Sequence, residues 1–376
     1  MTSQPPVPAP GDSWFPALHT LRGIAAIWVM LFHLWGFAGY PPTPVSWLFS
    51  VGWLGVHLFY ALSAFLLGLH FFSRQLAGRR WTYRSFLLRR TLRIFPAYYV
   101  QLGILLVAAA FFGFRQMPGL SDLAAHLVMW FHLPPGFVQP LNGVWWTLPI
   151  EFAFYLLLPV LGWLILRFGL LPFILLAVAV TISYRWLVFQ SMSDQPIPAI
   201  ASIIGQLPGV MTVFACGLAA AWLTAQGRIP SFPPRTVALV AAVLCGGWIQ
   251  VLLWQLDGYW QGSLLLWTWE SINAPLFALI ILALARLPAG SSWLTHRVGV
   301  WLGEVSYGIY LWHLPLILVL RPLLPENADP LLSLGMLSLL VTPLTLLLAM
   351  LTYQVVEKRA IALGRSWSRR YHSHQQ

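Results

Sequence analysis

Residues 18–38 read LHTLRGIAAIWVMLFHLWGFA, with Arg22 the one formally charged side chain among them. The hydrocarbon core of a bilayer is crossed by about 20 apolar residues in a helix, and this stretch is long enough to do it. The rest of the chain repeats the pattern. Hydrophobic residues make up 59% of the 376 and charged residues 8%, with a mean hydropathy of +0.75. A soluble domain carries about 25% charged residues because water must solvate its surface. The deficit here means that much of the surface faces lipid. Apolar runs broken by Pro, Gly and charge predict ten helices, near 18–38, 50–72, 93–113, 144–166, 170–190, 204–226, 236–256, 263–286, 299–321 and 332–356. Tyr184 and Arg185 intrude on the fifth and Glu270 on the eighth. The expected fold is an all-α integral membrane bundle of about ten transmembrane helices.

Charge placement tests the count. Cytoplasmic loops collect Lys and Arg, and with a cytoplasmic N-terminus 18 of the 21 basic residues fall on the inside. Arg115, Arg185 and Arg321 are the exceptions, and Asp122, Asp194, Asp257, Glu326 and Asp329 fall in outer loops. Both termini are therefore expected in the cytoplasm. The net charge of +11 is mostly this topology signal, supplemented by contact with anionic headgroups. It gives no support to a nucleic-acid partner, because the basic residues are split among loops. Residues 1–16 are Pro-rich and predict a disordered tail, 17–358 a transmembrane domain and 359–376 a basic tail. With no basic n-region or small-residue cleavage site, the first apolar segment is expected to stay as a helix. Cys216 and Cys245 lie in apolar stretches, which argues against a disulfide framework or a metal site and for inert packing. No internal repeat is evident, which weighs against an inverted-repeat transporter.

An ionisable group inside a span is costly and is a functional candidate by default. Arg22 and His33 lie eleven positions apart in the first helix, roughly 16 Å of rise and near one face. A lone membrane histidine often serves only to hydrogen-bond a neighbouring helix. His57, in GVHLFYALSAF, reads equally as a packed polar residue near the outer interface. Arg89, Arg90 and Arg93 lead into the third helix; Arg90 and Arg93 share a face and can grip phosphate. Trp145 and Trp146 fit an outer aromatic belt. Pro149 suits a first helical turn, and Glu151 beside it can serve as a helix-dipole partner. The ninth helix carries Glu304, Ser306, Tyr307, Tyr310 and His313. Tyr353 and Glu357 close the tenth, Glu357 as an interfacial salt-bridge partner.

Six segments taken together resemble the acyltransferase-3 membrane family, which acylates carbohydrates and related acceptors. They are LRGIAAIWVMLFH at 21–33, GVHLFYALSAFLLG at 55–68, RRTLRIFPAYYV at 89–100, WTLPIEFAFYLLLP at 146–159, SYGIYLWHLPL at 306–316 and YQVVEK at 353–358, in the family's order. The resemblance matches Arg22 and His33 to the family's arginine and histidine, Arg90 and Arg93 to its arginine pair, and Glu151 to its acid. It departs where Thr147 and Pro149 replace commoner residues, Phe152 replaces a second acid, Ala64 replaces a glycine, and His57 stands at a usually acidic position.

The resemblance implies an acyl-CoA donor, commonly acetyl-CoA, as co-substrate, with no metal. It further implies that Arg22, Arg90 and Arg93 hold the polyanionic nucleotide end. His33 then acts as general base on an acceptor hydroxyl, with Glu151 orienting the imidazole or stabilising its charged form; an acyl-histidine relay is the variant. The acceptor is expected to be a carbohydrate or similar envelope hydroxyl, and the setting the cell (inner) membrane. No fused soluble domain is expected after the bundle, and the outer loop 114–143, with His126, His132 and Asn142, is the expected lid. A transporter or flippase of an acylated or lipid-linked product is the alternative; a scaffold role would leave ionisable groups in three spans unexplained.

Overall fold

The computed structural model describes residues 14–133, 138–229, 233–325 and 327–373. Most of the expected disordered tail, Glu326 and the end of the basic tail lie outside them. Among the described residues the chain is helical and without strands. Its main helices are α1 Pro16–Phe37, α2 Leu54–Leu76, α3 Tyr83–Phe112, α4 Thr147–Phe168, α5 Leu170–Met192, α6 Met211–Ala225, α7 Pro234–Trp254 and α8 Leu264–Leu284. They are followed by α9 Arg297–Glu304, α10 Ser306–Leu320, α11 Pro330–Thr352 and α12 Lys358–Ser373. Among the described residues nine helices are long and apolar enough to cross a membrane, or ten when α9 and α10 count as one bent span. Side chains such as Phe112 (82% exposed) and Leu339 (76% exposed) would be a liability in water and are at home in lipid.

Two of the ten expected spans differ from the expectation. The third helix begins at Tyr83, a decade before its apolar run. Its first turns carry Arg84, Arg89 and Arg90, which hydropathy reads as loop but which form helix readily. Thirty residues rise about 45 Å, well beyond the ~30 Å hydrocarbon core. The ninth span is not straight. α9 and α10 meet at 66°, at a break where the Ser306 hydroxyl donates to the Gly303 carbonyl at 2.8 Å. A short hydroxyl side chain that engages nearby backbone competes with the helical ladder.

The chain divides into two compact units. The first comprises residues 1–22, 57–81 and 157–301. Here α8 packs on α6 and α7, and α5 on α6. α2 approaches α6 so closely that a Cβ at Gly217 would stand 2.5 Å from the Ala61 carbonyl oxygen. Small residues let membrane helices touch backbone to backbone, since lipid supplies no hydrophobic drive between them.

The second unit comprises residues 23–56, 82–156 and 302–376. α10 pairs with α11 across Gly308, where a Cβ would meet Ala349 at 2.7 Å. A π-helical turn at Tyr353–Glu357 links α11 to α12. α12 then runs back along the start of α3, with Gly364 facing Leu92 and Ser368 meeting Ser85 and Arg89. Within the loop at 114–143, Leu120–Val128 forms a helix. His126 donates from Nδ1 to the Asp122 carbonyl at 2.6 Å and accepts the Leu141 amide on Nε2 at 3.0 Å. Tyr98 and Tyr99 donate to the carbonyls of His126 and Leu127. Burial pushes both His126 and His132 below the ordinary histidine range.

Candidate active site

The second unit brings together most of the residues singled out in the sequence. His33, on α1, is half-buried. Its Nδ1 lies 2.9 Å from the Val29 carbonyl, one turn back on its own helix. The same Nδ1 lies 3.1 Å from Nε2 of His313 on α10. His313 is fully buried, and its own Nδ1 lies 2.9 Å from the Ile309 carbonyl. The two imidazoles thus meet through nitrogen edges, with ring centroids 5.0 Å apart.

Proline chemistry fixes where α10 stands. Pro315 has no N–H, so the Leu311 carbonyl lacks its helical partner. Two amides fill the gap. Gln101 Nε2 on α3 donates to it at 2.7 Å and Asn142 Nδ2, just ahead of α4, at 2.9 Å. Gln101 in turn accepts from Trp145 Nε1 at 2.8 Å. Trp145 is therefore no part of an aromatic belt: it is wholly buried, because its indole N–H closes this network. The Tyr310 hydroxyl, one turn before His313 on α10, donates to the Val144 carbonyl at 2.7 Å and sits 2.8 Å from the Thr147 hydroxyl. The opening of α4 is thereby tied to the histidine-bearing turn of α10.

One turn further along α4, Glu151 accepts a hydrogen bond from Tyr155 at 2.6 Å. Arg90 on α3 lies within electrostatic reach of Arg93, Tyr155, Arg89 and Glu151, and its Nε is buried without a hydrogen-bond partner. The Tyr307 hydroxyl donates to the Ile94 carbonyl at 3.0 Å, and Glu357 is buried in the π turn at 4% exposure. The structure thus brings Glu151 to the arginine pair and Tyr155, while His33 takes His313 as its partner. Arg22 belongs to the first unit.

The first unit holds a separate polar cluster. His57 Nδ1 on α2 stands 3.1 Å from Glu270 Oε2 on α8. Arg185 on α5 pairs with Glu270 at 3.3 Å, and donates to the Leu266 carbonyl at 2.6 Å and to the Tyr259 hydroxyl at 2.8 Å. Three residues that interrupt apolar runs thus come together around one carboxylate.

The acyltransferase-3 family pattern, described as an acyltransferase domain, matches residues 15–354, nearly the whole chain. The chain belongs to the acyltransferase-3 family. Among curated relatives it is 25% identical over 335 residues to the peptidoglycan O-acetyltransferase OatA of Listeria monocytogenes, covering 83% of this chain and 50% of that protein. It is 27% identical over 394 residues to the putative peptidoglycan O-acetyltransferase YrhL of Bacillus subtilis, covering 96% and 57%. The exopolysaccharide production protein ExoZ of Rhizobium meliloti is 26% identical over 274 residues, with 70% and 76% covered. The chain spans about half the length of the peptidoglycan O-acetyltransferases it matches. No solved structure matches it. In this acyltransferase-3 protein the sequence marks His33, Arg90, Arg93 and Glu151 individually. It says nothing of the partnership with His313, which needs α1 and α10 side by side. The available signal was the histidine in SYGIYLWHLPL, a polar residue in an apolar helix.

Proposed function

We propose that this protein transfers an acetyl group from acetyl-CoA to a hydroxyl of a carbohydrate at the cell membrane, with His33 as general base. The observation that carries the reading is the half-buried His33 imidazole, whose described hydrogen bonds both fall on Nδ1. It stands in a unit that also holds the Arg90–Arg93–Glu151 cluster. Arginine guanidiniums are suited to the phosphates of a nucleotide thioester; Arg90, with its unpartnered Nε, and Arg93 are the residues for this. The acceptor O–H gives its proton to His33 as its oxygen attacks the thioester carbonyl. The C–S bond then breaks, and the departing sulfur takes that proton back to leave as a free thiol. Glu151 compensates the arginine charge and can be drawn toward the imidazolium as it forms. The names of the relatives point to glycan acceptors, peptidoglycan or an exopolysaccharide.

The test follows acetyl-labelled acetyl-CoA in membranes carrying the wild type or His33→Ala at matched protein levels. Label on an envelope glycan with the wild type and none with the variant is the expected result. Equal labelling by both would remove His33 as the base. Movement of product with no thioester consumed would favour a transporter.

A further inference from the structure

We infer that His313 is a positioning residue that fixes the tautomer of His33, leaving the Nε2 lone pair of His33 free to take the acceptor proton. The inference rests on the proposed role of His33. A carbonyl oxygen only accepts hydrogen bonds. His313 Nδ1, 2.9 Å from the Ile309 carbonyl, therefore carries a hydrogen. A buried imidazolium is costly, so neutral His313 leaves its Nε2 bare. That bare nitrogen faces His33 Nδ1 at 3.1 Å. His33 Nδ1 also faces the Val29 carbonyl at 2.9 Å and must carry a hydrogen as well, which it shares between the two acceptors. The opposite assignment sets a nitrogen lone pair against a carbonyl lone pair at both histidines. Neutral His33 is left with its only free lone pair on Nε2.

The burial pattern divides the labour. His313 is 0% exposed and cannot touch substrate, whereas His33 is half-buried. An orienting carboxylate is the usual solution to this problem. Here the orienting group is neutral in the resting state, which avoids holding an anion in a low-dielectric interior. When His33 takes a proton on Nε2, its Nδ1–H bond to His313 becomes charge-assisted and shortens, so the partner helps most as the charge forms.

The test uses the full-length protein in membranes and two variants of similar size. His313→Gln keeps an acceptor oxygen near the position of Nε2; His313→Met does not. Loss of a general base costs about 10²–10⁴-fold in rate. His313→Met is expected to lower kcat by about tenfold to a hundredfold, with KM for acetyl-CoA little changed. His313→Gln is expected to recover most of the loss. Equal losses in Met and Gln would overturn the inference and leave His313 a packing residue. An inactive wild type, or an active His33→Ala, would instead overturn the proposed function.

Discussion

Under the proposed function, Arg90 is the residue whose chemistry is least interchangeable. A lysine there keeps the charge but loses the planar fork that suits phosphate. Hydrogen bonds to charged groups contribute about 1.5–3 kcal/mol, so Arg90→Lys is expected to raise KM for acetyl-CoA roughly tenfold with a smaller change in kcat. Initial rates over a range of donor concentrations check this, and an unchanged KM would move the donor site elsewhere. Glu270 makes a different case. It is the carboxylate shared by Arg185 and His57, and all three are buried. Glu270→Ala strands the Arg185 charge and is expected to cost about 3–5 kcal/mol, seen as a large drop in the unfolding midpoint of detergent-solubilised protein. Arg185→Met combined with Glu270→Leu is expected to lose far less. Restoring an acid at position 57 sets it against Glu270, so His57→Asp should destabilise and Glu270→Gln in the same chain should relieve it. At this scale the sequence was half legible. His33 and Glu270 announce themselves as polar atoms in apolar runs. So do His313 and Arg185, but the pairings do not, because these partners come from helices 280 and 85 positions away, and spacing along the chain carries no record of such neighbours.

The existence of the apolar helices was legible, but not that of α12 or of the helix at Leu120–Val128, and helix ends were legible only where hydropathy changes with them. α3 shows the limit: its basic first turns look like loop until α12 is seen lying along them. The 66° break between α9 and α10 was illegible for a related reason, since one serine in an apolar helix is unremarkable until its hydroxyl finds a carbonyl. The close approach of α2 and α6 in the first unit yields a sharp expectation. Gly217→Val places a branched side chain against the Ala61 carbonyl and the Ala64 side chain, where backbone cannot yield, and should lower thermal stability more than Gly246→Val, whose Cβ meets nothing within 4 Å. The loop at 114–143 should respond to acid. Burial holds His126 below the ordinary histidine range, so the folded state favours the neutral ring. The unfolded chain binds the proton first, and the stabilisation present above the unfolded pKa is lost as pH falls through the folded one. Protonation also removes the acceptor for the Leu141 amide. Hydrogen exchange at Leu141, corrected for its intrinsic pH dependence, is expected to quicken as pH drops from 7.5 to 5.

For the molecule as a whole, the basic residues make the orientation testable. With both ends in the cytoplasm, Asp194→Cys should react with an impermeant thiol reagent on intact cells, and Arg228→Cys only after the membrane is opened. Cys216 and Cys245 are buried and should leave a low background. The reverse labelling would turn the whole assignment over and place the arginine pair on the wrong side for a cytoplasmic donor. Composition alone made the membrane setting legible, because a surface short of charge has only one compatible solvent. Which helices share a unit was not legible, since every apolar face looks alike to lipid.

The carbonyl of Leu311 has a consequence for how this protein can change over generations. It offers two lone pairs, and the amides of Gln101 and Asn142 use both because Pro315 cannot. Replacing Pro315 by alanine would bring in a third claimant; replacing either amide would strand part of a buried carbonyl. Each single step is therefore penalised while a concerted one is not. Positions 101, 142 and 315 are expected to be inherited as one character, kept together or lost together wherever the lineage has branched.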